Sequence, residues 1–157
     1  MRALLQRVSR AEVRVGGSSV GGSSVTDESV GAIGLGLLVL LGVGPDDDDA
    51  ICDALARRVT ELRIFRDSSG RTNRSLVDVG GAVLAVSQFT LYADTSRGRR
   101  PGFTGAAPPE LAERLYERFV ASLVDLGVTV ARGRFGAEMA VELVNDGPFT
   151  IWLDSAR

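Results

Sequence analysis

The chain of 157 residues contains no histidine. Ser-His and Cys-His relays are therefore excluded, as is any imidazole ligand to a metal. Lysine is missing too, because all 18 cationic side chains are arginine, which rules out Schiff-base chemistry and a Ser-Lys dyad. If this chain is an enzyme, proton transfer falls to carboxylates, backbone groups, water or the substrate itself. Cys52 is the single cysteine, so no intrachain disulfide forms, in keeping with a reducing, cytoplasmic setting. Near Ile51 and Leu55 on an expected helix, it reads as a small core residue rather than a reactive thiol. Long hydrophobic runs are also absent. Ile33 to Val43 is too short and too glycine-rich to span a bilayer, and Gln6 and Arg7 end the opening apolar run too early for a signal peptide. No membrane partner is expected. A net charge of −2 argues against broad coating of nucleic acid, yet leaves room for one RNA end to meet a local arginine cluster.

What is present suits one soluble domain over residues 1–157, with 45% hydrophobic and 24% charged residues and enough length to bury a core. Alternation over Arg2–Val8 and Glu12–Val15 predicts two paired strands joined at Ser9-Arg10. Gly16-Gly17-Ser18-Ser19-Val20 then repeats identically as Gly21-Gly22-Ser23-Ser24-Val25, the composition of a flexible loop inserted at about residues 16–27. Ile33–Val43 reads as a core strand. Asp46-Asp47-Asp48-Asp49 opens a helix with Ile51, Leu55, Val59 and Leu62 on one face. Those acids suit helix capping and the helix dipole better than a divalent metal, and no metal or other cofactor is expected. A second helix from Pro108-Pro109-Glu110 to about Leu126 turns Leu111, Leu115, Phe119, Leu123 and Leu126 inward. Strands follow at Val128–Ala131, Met139–Val144 and Phe149–Leu153. This order predicts an α/β fold, a mixed sheet system with two main helices packed on one face.

Two stretches carry the chemistry. Ala82-Val83-Leu84-Ala85-Val86 is the run of a strand buried on both faces, and it meets Ser87, Gln88, Phe89 and Thr90 abruptly before Leu91-Tyr92-Ala93. Alternation sends Ser87 and Phe89 to one face, Gln88 and Thr90 to the other. Such an end is either an ordinary strand exit or the wall of a pocket. Near the C-terminus, Asn145-Asp146-Gly147-Pro148-Phe149-Thr150 interrupts two strand-like runs, where Gly-Pro serves equally as a plain turn. Between these stretches, Arg97, Arg99 and Arg100 occupy a long irregular segment. They are placed either to hold a phosphate backbone or simply to solvate a surface loop.

Taken together, Ser87-Gln88-Phe89-Thr90-Leu91-Tyr92-Ala93 and Asn145-Asp146-Gly147-Pro148-Phe149-Thr150 resemble the two signature motifs of the D-aminoacyl-tRNA deacylases. The opening Met1–Val8, Gly36–Val43, Asn73-Arg74-Ser75-Leu76 and Gly98-Arg99-Arg100-Pro101 are similar to that family as well, so the resemblance covers nearly the whole chain. It departs in two places. The family usually crosses the glycine-serine region with a tight hairpin shorter by roughly ten residues, a loop difference chains tolerate. It also more often has methionine where Thr72 precedes Asn73.

The resemblance implies a single compact domain of mixed, barrel-like sheet layers with two helices on one face. It implies a homodimer that needs no cofactor and hydrolyses the ester of D-aminoacyl-tRNA, and of mischarged glycyl-tRNA, at the 3′ end. Ser87, Gln88, Phe89 and Thr90 would line the catalytic pocket. Gly147-Pro148, through a cis peptide, would enter the partner subunit's pocket as a wedge that rejects L-amino acids. Arg7, Phe135 and Met139 would buttress that wedge and grip the terminal adenosine. Thr90 has no obvious base near it in sequence and is a poor nucleophile alone. The resemblance points instead to the tRNA ribose hydroxyl and backbone N–H groups. Two other readings stay open: a small-molecule ester or amide hydrolase with Thr90 as nucleophile, and a non-catalytic dimeric RNA-binding module.

Overall fold

The computed structural model describes residues 1–16 and 28–156; beyond Gly16, the expected glycine-serine loop lies outside the described residues. The elements are β1 (Arg2–Val15), β2 (Glu28–Ile33), β3 (Gly36–Gly42), α1 (Asp49–Glu61), β4 (Phe65–Arg66) and β5 (Thr72–Arg74). There follow β6 (Ala82–Ser87), a 3-10 turn (Phe89–Tyr92), α2 (Pro109–Asp125), β7 (Thr129–Arg132) and β8 (Met139–Asp154). β1 is the spine. Its first half pairs antiparallel with β3, from Arg2↔Gly42 to Val8↔Gly36. Its second half pairs with β2, from Ala11↔Ile33 to Val15↔Glu28. Its other edge takes β8 from end to end. β3, β6 and β7 run parallel to one another.

β2 folds over until it meets β7, which makes the mixed sheet nearly closed. At Gly31 a Cβ would stand 2.6 Å from the Arg132 carbonyl oxygen, so only glycine permits that approach. Arg134 and Glu28 bridge the same seam at 3.0 Å. β3 and β6 are buried on both faces, and their apolar runs divide by alternation. Leu37, Val39, Leu41, Val83 and Ala85 face the helices. Leu38, Leu84 and Val86 point into the curved sheet, against Val8, Ala11 and Val13.

α1 begins where Asp48 accepts a hydrogen bond from Ile51 N at 2.9 Å, so one acid of the aspartate run satisfies an orphan helical amide. Cys52, Leu55, Ala56 and Val59 of α1 and Leu115, Tyr116, Phe119 and Leu123 of α2 fill the core over the sheet. The Cys52 thiol donates to the Leu115 carbonyl at 3.3 Å, and burial pushes it up to about 12. It is a core group. Among the described residues, no helix is long and apolar enough to cross a membrane.

Five local readings need correction. Ile33–Val43 is not one strand, because β2 ends at Ile33 and β3 begins at Gly36, with Leu35 exposed in the bend between them. Arg2–Val8 and Glu12–Val15 are one strand, because β8 pairs with β1 on both sides of the exposed Ser9-Arg10 pair. Met139–Val144 and Phe149–Leu153 are likewise one strand, β8, with the Gly-Pro segment bulged out of its register. β6 stops at Ser87, and its strand alternation does not continue through Thr90. Leu126, beyond the last turn of α2, is exposed, while Tyr116 is buried in its place. The Tyr116 hydroxyl donates to the Ala85 carbonyl at 2.9 Å, a partner that lets a polar ring enter the core.

Candidate active site

Ligands in open α/β sheets collect beyond the carboxyl ends of parallel strands, and β6 brings Ser87 to that end. Its ladder finishes at Leu41↔Ser87, and Gln88 N donates to the Leu41 carbonyl at 2.7 Å. The chain then tightens. Leu91 N bonds the Gln88 carbonyl at 3.2 Å and Ala93 N bonds the Thr90 carbonyl at 3.0 Å. Arg2 holds the turn from β1: its Nη1 donates to the Leu91 carbonyl at 2.9 Å and its guanidinium lies 4.3 Å from the Tyr92 ring centre. The first amides of a helical turn have no partner within it. Accordingly, Phe89 N–H and Thr90 N–H have no acceptor among the described residues.

Beside this turn opens a cavity of about 650 Å³, a size suited to a small ligand. Val86, Ser87, Gln88 and Phe89 form one wall, and Phe103, Ala106, Ala107, Pro109 and Ala112 a second. The third runs from Phe135 through Gly136, Ala137 and Glu138 to Met139 and Val141. Phe89 and Phe103 meet edge to face with ring centres 5.0 Å apart, and both remain exposed, an open aromatic surface of the kind that stacks on a base. Among the described residues, Glu138 is the one titratable side chain in the wall, and it is exposed. The Thr90 hydroxyl accepts from Gln88 Nε2 at 2.5 Å and has no carboxylate beside it to remove its proton. The cavity offers shape and backbone dipoles, with little acid–base chemistry.

The Asn145–Thr150 motif lies elsewhere. β1 and β8 are in register at Gln6↔Thr150 and again at Val8↔Asn145, so Asp146, Gly147, Pro148 and Phe149 are pushed out as an extended bulge opposite Arg7. Asn145 closes its base: Nδ2 donates to Thr150 Oγ1 at 3.0 Å, and Oδ1 accepts from Phe149 N at 3.1 Å. The Gly147-Pro148 bond is cis, and Gly147 has φ +129°, a region L side chains rarely enter. A Cβ there would also approach Arg7 Nη2 to 2.8 Å. Buried Arg7 donates from Nε to the Asp146 carbonyl at 3.1 Å and from Nη1 to the Ile64 carbonyl. Its guanidinium also sits 4.9 Å from the Phe149 ring centre.

Arg97, Arg99 and Arg100 are exposed on a loop whose ends are tied by Asp94 and Gly102, each bonding the other's backbone at 2.7 and 2.9 Å. Phe103 follows directly and enters the cavity wall. Ser87, Gln88, Phe89, Phe135 and Met139 therefore share one cavity. Thr90 adjoins it without lining it, and Arg7, Gly147 and Pro148 lie outside it. Phe103, Ala106, Ala107, Ala112 and Glu138 were not singled out from sequence. Ala106, Ala107 and Ala112 leave space that larger residues would have filled.

An apolar cavity at a strand end, with unengaged backbone amides at its lip, marks this α/β domain. The chain belongs to the D-Tyr-tRNA(Tyr) deacylase family, whose profile matches residues 4–154. A protein of Dinoroseobacter shibae named D-aminoacyl-tRNA deacylase is 58% identical over 98% of this chain and 99% of its own length. One of Symbiobacterium thermophilum bearing the same name is 57% identical over 100% and 97%. Among solved structures, a c-Myc DNA unwinding element binding protein superposes with a TM-score of 0.86 at 39% identity, covering 98% of both chains. A probable eukaryotic D-amino acid tRNA deacylase gives 0.80 over 97% of both chains at 20% identity, a likeness of fold.

Proposed function

We propose that this chain hydrolyses the ester joining a D-amino acid, or glycine, to the 3′ end of tRNA, releasing the free amino acid and tRNA. One observation carries the reading: two unengaged amides, Phe89 N–H and Thr90 N–H, stand at the lip of a cavity that has no buried base. The names of the relatives supply the substrate class. Water adds to the ester carbonyl carbon, and its oxygen gains negative charge against the two amides. The bond to the ribose oxygen then breaks, and that oxygen takes the proton water gave up. The neighbouring ribose hydroxyl assists the proton transfer, so Thr90 is not consumed. Each oxyanion donor is worth about 3 kcal/mol and positioning about 7–11 kcal/mol. That suits a chain without histidine or lysine.

Selection against L-amino acids falls to Gly147 and Pro148. They do not line the cavity of their own chain, so they reach a substrate only in a second copy. The exposed Val144 and Trp152 of β8 offer surface for a homodimer of that kind. A backbone wedge leaves space for hydrogen on one side of the α-carbon and none for a side chain. Glycine and D-amino acids pass, and the reaction belongs in the cytoplasm, where charged tRNA is used.

A panel of D- and L-aminoacyl-tRNAs, glycyl-tRNA and free D-aminoacyl esters tests the reading. Cleavage of the D- and glycyl-tRNAs with L-aminoacyl-tRNA and free esters spared supports it. Comparable cleavage of free esters would mark a small-molecule hydrolase, and binding without cleavage an RNA-binding module.

A further inference from the structure

The β4–β5 hairpin takes no part in the cavity, yet it and its roots hold Arg63, Arg66, Arg71 and Arg74, all exposed. Several arginines elsewhere meet acids: Arg114 and Arg118 pair with Asp49 and Asp53, Arg132 with Glu117, Arg134 with Glu28. On the hairpin no such ion pair forms among the described residues, although Arg74 and Arg63 add to the Ser75 bonds that hold the Asp78 carboxyl below its ordinary range. Arg63 Nε donates to the Asn73 carbonyl at 2.7 Å, and Arg74 donates to the Asp78 carbonyl. Both acceptors are uncharged. The guanidinium groups of Arg66 and Arg71 have no partner among the described residues. Asp67 is folded inward, accepting from Ser69 N and Arg71 N at 2.8 and 3.0 Å. Four cations against Asp67 and Asp78 make this a positive patch on a protein of net charge −2.

Its position is set by Arg7. One buried guanidinium bonds the Ile64 carbonyl, at the root of the hairpin, and the Asp146 carbonyl, at the root of the Gly147-Pro148 bulge. Hairpin and bulge are thus joined through one side chain. The 97–100 loop instead leads into Phe103 in the wall of its own cavity.

We propose that the β4–β5 hairpin is a second RNA-backbone contact, in which Arg66 and Arg71 grip phosphates of a tRNA seated in the partner subunit's cavity. This rests on the reading above that the bulge enters that cavity. The planar fork of arginine matches phosphate oxygens in pairs, and the short paired strands present the two side chains without much ordering cost. The 3′ end would then be held by the 97–100 loop of one subunit and the hairpin of the other.

Binding of uncharged tRNA is measured against salt for wild type, R66A/R71A and R66K/R71K. Each phosphate contact contributes about 0.7–0.9 to the log–log salt slope, so R66A/R71A should flatten it by about 1.5 and raise Kd several-fold. The lysine pair should restore most of the slope. An unchanged slope in R66A/R71A, or no recovery with lysine, overturns the contact. Dimers joining one cavity-blocked A112F subunit to one open subunit test the partner's role. R66A/R71A on the blocked subunit should raise KM at the open cavity, whereas the reverse dependence overturns supply from the partner. A wild type that binds with a hairpin-dependent slope but cleaves no D-aminoacyl-tRNA ends the deacylase reading and leaves the RNA contact standing.

Discussion

Arg7 holds Asp146 twice, its Nε lying 3.1 Å from both the backbone carbonyl and the side-chain carboxylate of that residue. The carboxylate is half exposed while the guanidinium is buried, so the backbone contact is the one solvent weakens least.

Arg7→Met should therefore cost more than Asp146→Asn. Methionine keeps volume but strands the Ile64 and Asp146 carbonyls, at about 1–3 kcal/mol for a buried unsatisfied group. Asp146→Asn retains the carbonyl contact and should lie within about 1 kcal/mol of wild type, as exposed pairs usually do. Denaturant melts give the order of stability. The ratio of D- to L-aminoacyl-tRNA cleavage should fall for Arg7→Met, and a wild-type ratio would separate Arg7 from selection.

Thr90→Ala should keep a rate within about tenfold of wild type, since removing a true nucleophile or base removes factors of about 10²–10⁴. The Thr90 hydroxyl has Gln88 as its partner, with no base beside it. Single-turnover deacylation reads the chemical step directly. Abolition of that step in a folded, tRNA-binding variant would make Thr90 the nucleophile.

Replacing Arg97, Arg99 and Arg100 together by alanine should weaken tRNA binding and flatten its salt dependence by close to one unit for each phosphate released. The loop ends are held by backbone bonds between Asp94 and Gly102, so the fold should persist. A slope equal to wild type removes this loop from the RNA contact.

Ala112→Phe should close the cavity from the α2 side. The new ring enters existing space, so the melting temperature should change little while activity drops at least about tenfold, the scale of a misplaced substrate. Full activity in this variant would move the substrate elsewhere.

Stability should be flat in the middle of the pH range and fall at both ends. Asp53 is held below the usual carboxylate range by its bond from Arg118, Asp67 by the Arg71 amide and Asp154 by the Ala156 amide. Their stabilising effect is complete above the unfolded value of about 3.9 and is lost as pH drops through the lower folded values. At the other end, burial pushes Cys52 and Tyr116 up to about 12. The unfolded chain releases those protons from about pH 8.5 and about pH 10, the native chain does not, and stability falls with rising pH. Urea midpoints from pH 3 to 10 check this. Cys52→Ala should delay the alkaline decline, and a midpoint that climbs above pH 9 would contradict it.

The sheet was legible wherever burial dictated sequence. Leu37–Leu41 and Val83–Val86 had to be apolar on both faces, and their runs announce it. Asp48 and the proline pair at 108–109 likewise mark helix starts by local chemistry. The misreadings at Ser9-Arg10 and at Asn145–Thr150 share one cause: each looks like a turn because it is polar, yet the strand continues past it on tertiary pairing. The cavity was half legible. Ser87, Gln88 and Phe89 stand out as polar and aromatic groups breaking an apolar run. Ala106, Ala107 and Ala112 contribute by what they lack in size, which no single sequence displays as a signal. The unengaged amides of Phe89 and Thr90 come from a 3-10 turn that side-chain alternation could not reveal.

β1 and β8 are the first and last strands, and they meet along their whole length. The cavity draws its walls from 86–89, 103–112 and 135–141, so it too is closed from the far end of the chain. Pairings between such distant segments carry a large loop-closure cost before they return any stability. A nascent chain not yet extended past residue 139 presents one edge of β1 unpaired, an invitation to intermolecular strand addition. Folding of this protein should accordingly be slow for its length and completed late in synthesis, with the substrate-binding space among the last features to form.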